Sequence, residues 1–342
     1  MFNTNQNQRA LKQALNSKSS DVPSNIQSEH KGCAEGHNSP SGGAAQTMGT
    51  KYGKGGNGSL PEPKKILFWS NFITSDPHEW SKIFSRQIRG ECPDRCTVTH
   101  SKLNWQYADV IIFKQAMNLK SAKYINVTMP PLRPKNQIWL LFSAESPQHY
   151  TWFIPNSWLG IFDWTYTYHS KSDAVMPFGR VIKLPPNMAV NNKRNYWAEK
   201  RNSVKFAAWM VSHCPTPSRR EDYVHELQKH EQVDIYGACG NMKCGIRRIL
   251  RNVMKAKDPE NCYPLMNTYK FYFAFENSIC EDYITEKFFT ALQMDAIPVV
   301  FGGGNYNAIA PPHSFINGTA FEKPKDLAMY LRAVANNQTL YN

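Results

Sequence analysis

The chain has 342 residues and a formal charge of +13, from 40 lysines and arginines against 27 acids. That length suffices for two ordinary domains with ample core. Eight of the 40 basic residues fall in the first 65 positions and the rest are scattered without a dense run or a docking motif, which sets nucleic-acid recognition aside in favour of an anionic small ligand or an anionic membrane surface.

Residues 1–63 are rich in Asn, Gln, Ser and Gly, hold Phe2 and Tyr52 as their only aromatics, and end in Leu60-Pro61-Glu62-Pro63. Too little apolar surface is available there to offset chain entropy, so this segment is expected to be disordered. No run of roughly 18 consecutive apolar residues, the length that spans a bilayer, and no secretory apolar core occurs in the sequence.

From residue 64 the pattern changes to alternating strand and helix. Strands are expected at 65–69, 109–113 and 138–142, with a helix over 77–87. The apolar run Ile138-Trp139-Leu140-Leu141-Phe142 ends in Ser143-Ala144-Glu145-Ser146-Pro147. A polar loop at the carboxyl end of a strand is where α/β folds place ligand chemistry, which makes Glu145 a candidate catalytic acid or base. An exposed or helix-capping glutamate is the plainer reading of the same residue. The aromatic stretch Trp152, Phe153, Trp158, Phe162, Trp164, Tyr166 and Tyr168 reads first as core, with a strand over 164–168.

Pro185-Pro186 and the polar run that follows suit a linker, assigned to 191–203. A second α/β unit opens with a buried strand at 204–211. A helix is expected from Ser218, where Ser218-x-x-Glu221 has the form of a capping box, and Tyr223, Val224 and Leu227 fall on one face. A strand at 233–236 completes the βαβ unit. Arg220 sits in the first turn, where a guanidinium can grip a diphosphate bidentately, although solvation is the commoner fate of an arginine there.

The densest signal lies at 275–289, Phe-Glu-Asn-Ser-Ile-Cys-Glu-Asp-Tyr-Ile-Thr-Glu-Lys-Phe-Phe. An aromatic strand (269–275) precedes it, and a helix (284–292) and a second strand (296–301) follow. The first turn of the helix offers unpaired N–H groups and the positive end of the dipole, a seat for pyrophosphate. Lys287 brings an ammonium to that turn, Glu286 a carboxylate suited to ribose hydroxyls, and Asn277 and Tyr283 an amide and a phenol. Thr285-Glu286-Lys287 alone would equally serve as a helix cap. A final helix is expected at 325–334, with Leu327, Tyr330, Leu331 and Val334 on one stripe.

The eight cysteines, Cys33, Cys92, Cys96, Cys214, Cys239, Cys244, Cys262 and Cys280, fit either disulfides or a metal site through Cys92-x3-Cys96 and Cys239-x4-Cys244. Neither pair is a strict Cys-x2-Cys knuckle, and the acceptor sequons at Asn57, Asn126, Asn317 and Asn337 suit an oxidising, glycosylating compartment. No Asp-x-Asp occurs, which argues against a metal-bridged diphosphate, and no cofactor is expected.

The whole 275–289 string resembles the donor-binding motif of the α1,3-fucosyltransferases, glycosyltransferase family 10. Val299-Val300-Phe301-Gly302, 312–316 and 233–237 are similar to neighbouring stretches of that family, and the likeness runs roughly from 64 to 335. It implies a GT-B fold, two Rossmann-like domains facing each other across a cleft, behind a disordered stem. Residues 64–190 would form the acceptor side and 204–342 the GDP-fucose side. By the same resemblance Glu145 in Glu-Ser-Pro is the general base, and Arg220, Asn277, Tyr283, Glu286 and Lys287 bind the donor. The implied reaction is inverting transfer of fucose from GDP-fucose to the 3-hydroxyl of N-acetylglucosamine in glycoprotein glycans, at the Golgi membrane, where such proteins are type II membrane proteins. The family usually adds an N-terminal anchor and a longer C-terminal segment, so the chain is expected to be incomplete at its C-terminus. A binding-only pseudoenzyme and a GT-B transferase with another nucleotide sugar are the alternatives. Core and antennal acceptors are not separable from the residues.

Overall fold

The computed structural model describes residues 62–69, 96–114, 117–118, 123–124, 129–150, 158–183, 194–244 and 262–342. The helix expected at 77–87, Trp152, Phe153, Cys33, Cys92, and the sequons at Asn57 and Asn126 lie outside them.

The first half is a parallel sheet of β1 (Lys64–Phe68), β2 (Cys96–Thr99), β3 (Val110–Lys114), β6 (Ile138–Ser143), β7 (Trp164–Thr167) and β8 (Ala174–Val175), in the order β2-β1-β3-β6-β7-β8. A two-residue antiparallel pair, β4 (Met117–Asn118) and β5 (Lys123–Tyr124), stands apart from it. Val110-Ile-Ile-Phe reads as a continuous apolar run because both faces of a parallel strand are covered. Ile111 and Phe113 enter one cluster with Trp69, Trp139 and Trp158, while Ile112 enters another with Phe68, Leu140, Phe142 and Met176. A four-residue helix, α1 (Pro147–Tyr150), follows β6.

Residues 194–203, within the stretch assigned as linker, include α2 (Tyr196–Lys200), capped by the Asn195 side chain. Its Tyr196 and Trp197 rings pack on the core of the second half, and buried Lys200 donates to the carbonyls of Tyr269 and Asp295.

The second sheet runs β10-β9-β11-β12-β13, all parallel, from β9 (Ala207–Met210), β10 (Val233–Tyr236), β11 (Phe271–Phe275), β12 (Ile297–Phe301) and β13 (Ile316–Asn317). The helices are α3 (Arg220–Leu227), α4 (Tyr263–Met266), α5 (Glu286–Ala291), α6 (Tyr306–Ile309), α7 (Pro324–Ala335) and α8 (Gln338–Tyr341). All five residues of β11 are buried. Phe271, Phe273 and Phe275 face Val224 and Leu227 of α3 and Leu327, Leu331 and Val334 of α7, while Tyr272 and Ala274 face Met266, Phe288 and Ala291. At about 1.5–3 kcal/mol for each large apolar side chain removed from water, this strand is the main organiser of the second core.

The expected strands all occur, that at 233–236 with the expected ends and the others with ends shifted by at most three residues. Val204 precedes its strand and is 84% exposed. The helix from Ser218 needs correction: α3 starts two residues later, with Arg219 at φ 52° as its N-cap. Ser218 is drawn away from the helix because its Oγ donates to the Glu276 carbonyl (2.8 Å), and Glu221 reaches back to Thr216 Oγ1 (2.9 Å) instead.

Candidate functional site

Both sheets reverse strand order next to their first strand, so loops from neighbouring strands diverge and open a crevice at the carboxyl edge. In the second half that point lies between β9 and β11. The loop after β9 and the start of α3 are stapled to three successive carbonyls at the end of β11: Arg220 Nη1 donates to Phe275 O (2.5 Å), Ser218 Oγ to Glu276 O, and Ser218 N to Asn277 O (3.1 Å). A disulfide, Cys214–Cys239, ties the same loop to the one after β10, and Cys244–Cys262 closes the next; Cys280 is disulfide-bonded as well. Cys239 and Cys244 therefore enter separate bridges and do not form a metal pair.

Arg220 is 3% exposed, and its guanidinium also donates through Nη2 to His213 O (3.0 Å) while resting 5.5 Å from the Trp209 ring centre. Burial lowers its pKa, opposed by Glu221 and Glu276. Among the described residues one N–H on each terminal nitrogen meets no acceptor and is left for a ligand, as a planar fork permits.

Thr285 is the N-cap of α5, and Glu286 and Lys287 occupy the first turn. Lys287 Nζ meets Thr285 Oγ1 (2.8 Å), Glu276 Oε2 (3.2 Å) and Glu286 Oε1 (3.4 Å). Burial disfavours its charge, but the Glu276 and Glu286 carboxylates outweigh this and raise it above an ordinary lysine; Arg220 is near enough to oppose them. Glu276 is fully buried, takes the Thr285 N–H (2.8 Å) and hydroxyl, and has its own pKa raised by burial against the pull of Lys287. Glu286 itself is exposed. Asn277 is 9% exposed, and its Oδ1 accepts no hydrogen bond from the described residues. Leaving such an acceptor unmet costs about 1–3 kcal/mol, which an incoming hydroxyl or N–H donor would recover.

Glu145 lies across the cleft in the loop after β6, and Tyr283 Oη donates to its Oε2 at 2.7 Å. Glu145 Oε1 accepts nothing among the described residues. Tyr283 is 1% exposed, its ring set against Tyr168 (4.8 Å between centres) and Phe178 (6.3 Å). Burial first, and then the Glu145 charge, push its phenol well above the usual range, so it remains a donor. A second buried bond, Ser146 Oγ to Ser278 Oγ (2.7 Å), joins the halves beside it.

The structure thus gathers Arg220, Asn277, Glu286 and Lys287 on one wall and links Tyr283, from the same motif, to Glu145 on the other. Three participants escaped the sequence reading. Glu276 was visible only as a motif letter. Lys114, at the end of β3, is brought to about 8 by burial, with Glu145 opposing, and nothing in its sequence surroundings marks it. Tyr168 was read as core because its partner is 115 positions away.

Two family models match: "Glycosyltransferase family 10 (fucosyltransferase) C-term" over residues 198–342 and "Fucosyltransferase, N-terminal" over 61–179. Similar curated proteins include alpha-(1,3)-fucosyltransferase C of Drosophila melanogaster, 31% identical over 82% of this chain and 68% of that protein. Glycoprotein 3-alpha-L-fucosyltransferase A of the same fly is 36% identical over 75% of this chain and 47% of that protein. Alpha-(1,3)-fucosyltransferase fut-1 of Caenorhabditis elegans is 34% identical over 77% of this chain and 56% of that protein. The chain thus spans about half the length of the latter two. A solved α1,3-fucosyltransferase with GDP-fucose superposes with a TM-score of 0.50 at 20% identity, covering 85% of this chain and 83% of that one; the form with GDP gives 0.52 at 18%. The fold is the GT-B arrangement of these structures, and the chain belongs to glycosyltransferase family 10, the fucosyltransferases.

Proposed function

We propose that the protein is an inverting α1,3-fucosyltransferase that moves fucose from GDP-fucose to the 3-hydroxyl of an N-acetylglucosamine unit in a glycoprotein glycan. The observation that supports it most directly is the hydrogen bond from Tyr283, inside the donor motif, to Glu145 on the opposite half. Residues 64–190 take the acceptor and 204–342 the donor, with 191–203 between them.

Transfer needs two charges managed at once. The diphosphate leaving group gathers negative charge as the glycosidic bond breaks; Arg220, Lys287 and the N–H groups at the start of α5 meet it. The acceptor hydroxyl must lose its proton as it attacks, and Glu145 Oε1 takes it while Tyr283 holds Oε2 in place. Attack from the face opposite the departing GDP inverts the anomeric centre in one displacement. Glu286 suits the ribose hydroxyls, and the unmet Asn277 Oδ1 suits a donor group of the nucleotide sugar.

The disulfides fit an oxidising lumen, and we assign the protein to the Golgi, as a type II membrane protein. Among the described residues no helix is long and apolar enough to cross a membrane. The test is transfer of labelled fucose from GDP-fucose to lactosamine and to N-glycan-core acceptors, with chelator present. Glu145→Gln is expected to lower turnover by two orders of magnitude or more while GDP binding holds, and Lys287→Ala to weaken both together. GDP binding without transfer to any acceptor would overturn the reading in favour of a binding protein.

A further inference from the structure

The turn that delivers Tyr283 to Glu145 is set by the residue before it. Asp282 has φ 59°, a left-handed conformation that a non-glycine residue adopts rarely. Aspartate tolerates it best when its short side chain bonds its own backbone nearby. Here the carboxylate instead reaches 112 positions back: Oδ2 accepts from Ser170 N (3.1 Å) and from Ser170 Oγ (2.5 Å), in the loop between β7 and β8 of the other half. The turn is closed behind it by Tyr283 N to Cys280 O (3.2 Å) and Ile284 N to Asp282 O (2.9 Å).

Neighbouring side chains complete a zipper. His169 Nε2 lies 3.7 Å from Glu281 Oε2, and Lys171 Nζ lies 3.7 Å from Glu281 Oε1. His169 Nδ1 already accepts the Lys171 N–H (3.0 Å) and Asp282 Oδ2 accepts twice, which assigns these atoms to the contact and not to a cation. Tyr168, next in sequence to His169, packs its ring on Tyr283, next in sequence to Asp282. Three consecutive residues of one half, 168–170, therefore meet three of the other, 281–283, and the last of these carries the phenol bonded to Glu145.

We propose that Asp282 is a positioning residue for fucosyl transfer, fixing the Tyr283 phenol against Glu145 by clamping Ser170 of the acceptor half. The inference rests on the fucosyltransferase reading above. The Asp282 carboxylate is taken up by Ser170 of the acceptor half, so its loss is expected to act on turnover and leave donor affinity in place.

The experiment compares Asp282→Ala, Asp282→Asn, Ser170→Ala and the Ser170→Ala/Asp282→Ala pair with the parent in kcat, in KM for GDP-fucose and in GDP binding. Asp282→Ala should lower kcat by about tenfold or more with donor KM within about threefold, because charge-assisted hydrogen bonds across a catalytic interface are lost. Asp282→Asn keeps an acceptor for Ser170 and should recover most of that loss. Ser170→Ala keeps its N–H and should be mild, and the pair should be no worse than Asp282→Ala alone, the signature of one shared contact. Turnover of Asp282→Ala within twofold of the parent, additivity in the pair, or an asparagine variant as poor as alanine would each overturn the proposal. A parent that transfers no fucose would instead defeat the functional reading, and the clamp would then be judged by exchange of the Ser170 amide hydrogen. Exchange about tenfold faster in Asp282→Ala than in the parent, with Asp282→Asn close to the parent, supports the clamp, and equal rates in Asp282→Ala and the parent overturn it.

Discussion

Tyr283→Phe removes one oxygen and leaves everything else about the side chain in place. The ring contacts to Tyr168 and Phe178 do not involve the hydroxyl, so the phenylalanine keeps its position. What disappears is a 2.7 Å bond to a carboxylate oxygen in a largely buried setting. A hydrogen bond to a charged group is worth about 1.5–3 kcal/mol, and at 1.36 kcal/mol per decade this corresponds to a fall in kcat of roughly 10- to 150-fold. Stopped-time assays with saturating donor and acceptor measure kcat, and calorimetric titration with GDP measures the donor site. The structure places the hydroxyl on Glu145, so GDP affinity should stay within about twofold of the parent. Weaker GDP binding by tenfold with kcat unchanged would refute this reasoning and make the phenol a donor ligand.

Glu276→Gln should destabilise the fold, because the amide turns an N–H toward the Lys287 ammonium; breaking a buried ion pair of this kind costs about 3–5 kcal/mol, read as a fall in melting temperature that GDP only partly restores. The same residue gives the fold a pH signature. Burial raises its pKa in the folded state, so its contribution to stability is complete below the unfolded value and is lost as pH rises through the folded one; Glu276→Gln should abolish that part of a denaturation-versus-pH curve. Lys114 behaves oppositely in charge: its pKa of about 8 lies below that of an unfolded lysine, so stability gains as pH rises from about 8 toward the ordinary lysine range, and Lys114→Met should remove that gain. Arg220→Lys should lower both GDP affinity and thermal stability, since a single ammonium cannot serve the carbonyls of Phe275 and His213 and a diphosphate together.

Strand positions were legible in the sequence because a covered parallel strand writes itself as an uninterrupted apolar run, as in Ile138–Phe142 and Phe271–Phe275. Helix starts were less so: Ser218 and Glu221 have capping-box spacing, yet each is claimed by a partner that only the tertiary fold supplies, Glu276 in one case and Thr216 in the other. Lys287 and Arg220 could be named from their places in first turns. The pairing of Tyr283 with Glu145 could not, because it joins residues 138 apart and depends on how two sheets face each other. Tyr168 and Ser170 were hidden for the same reason. Composition gave the aromatic stretch a core role, and only the contact across the cleft gives its last member another.

The carboxylate of Glu276, sealed behind Lys287, bears on how the catalytic cycle ends. In the proposed mechanism, an ammonium that already holds a carboxylate and a hydroxyl would exchange partners when a diphosphate arrives and so gain less than a bare cation. The same exchange would run backwards after transfer, with Glu276 reclaiming the lysine as GDP departs. A site built only for tight nucleotide capture would be slowed by its own product; one with a resident competitor trades some affinity for release, and with it the pace of successive turnovers.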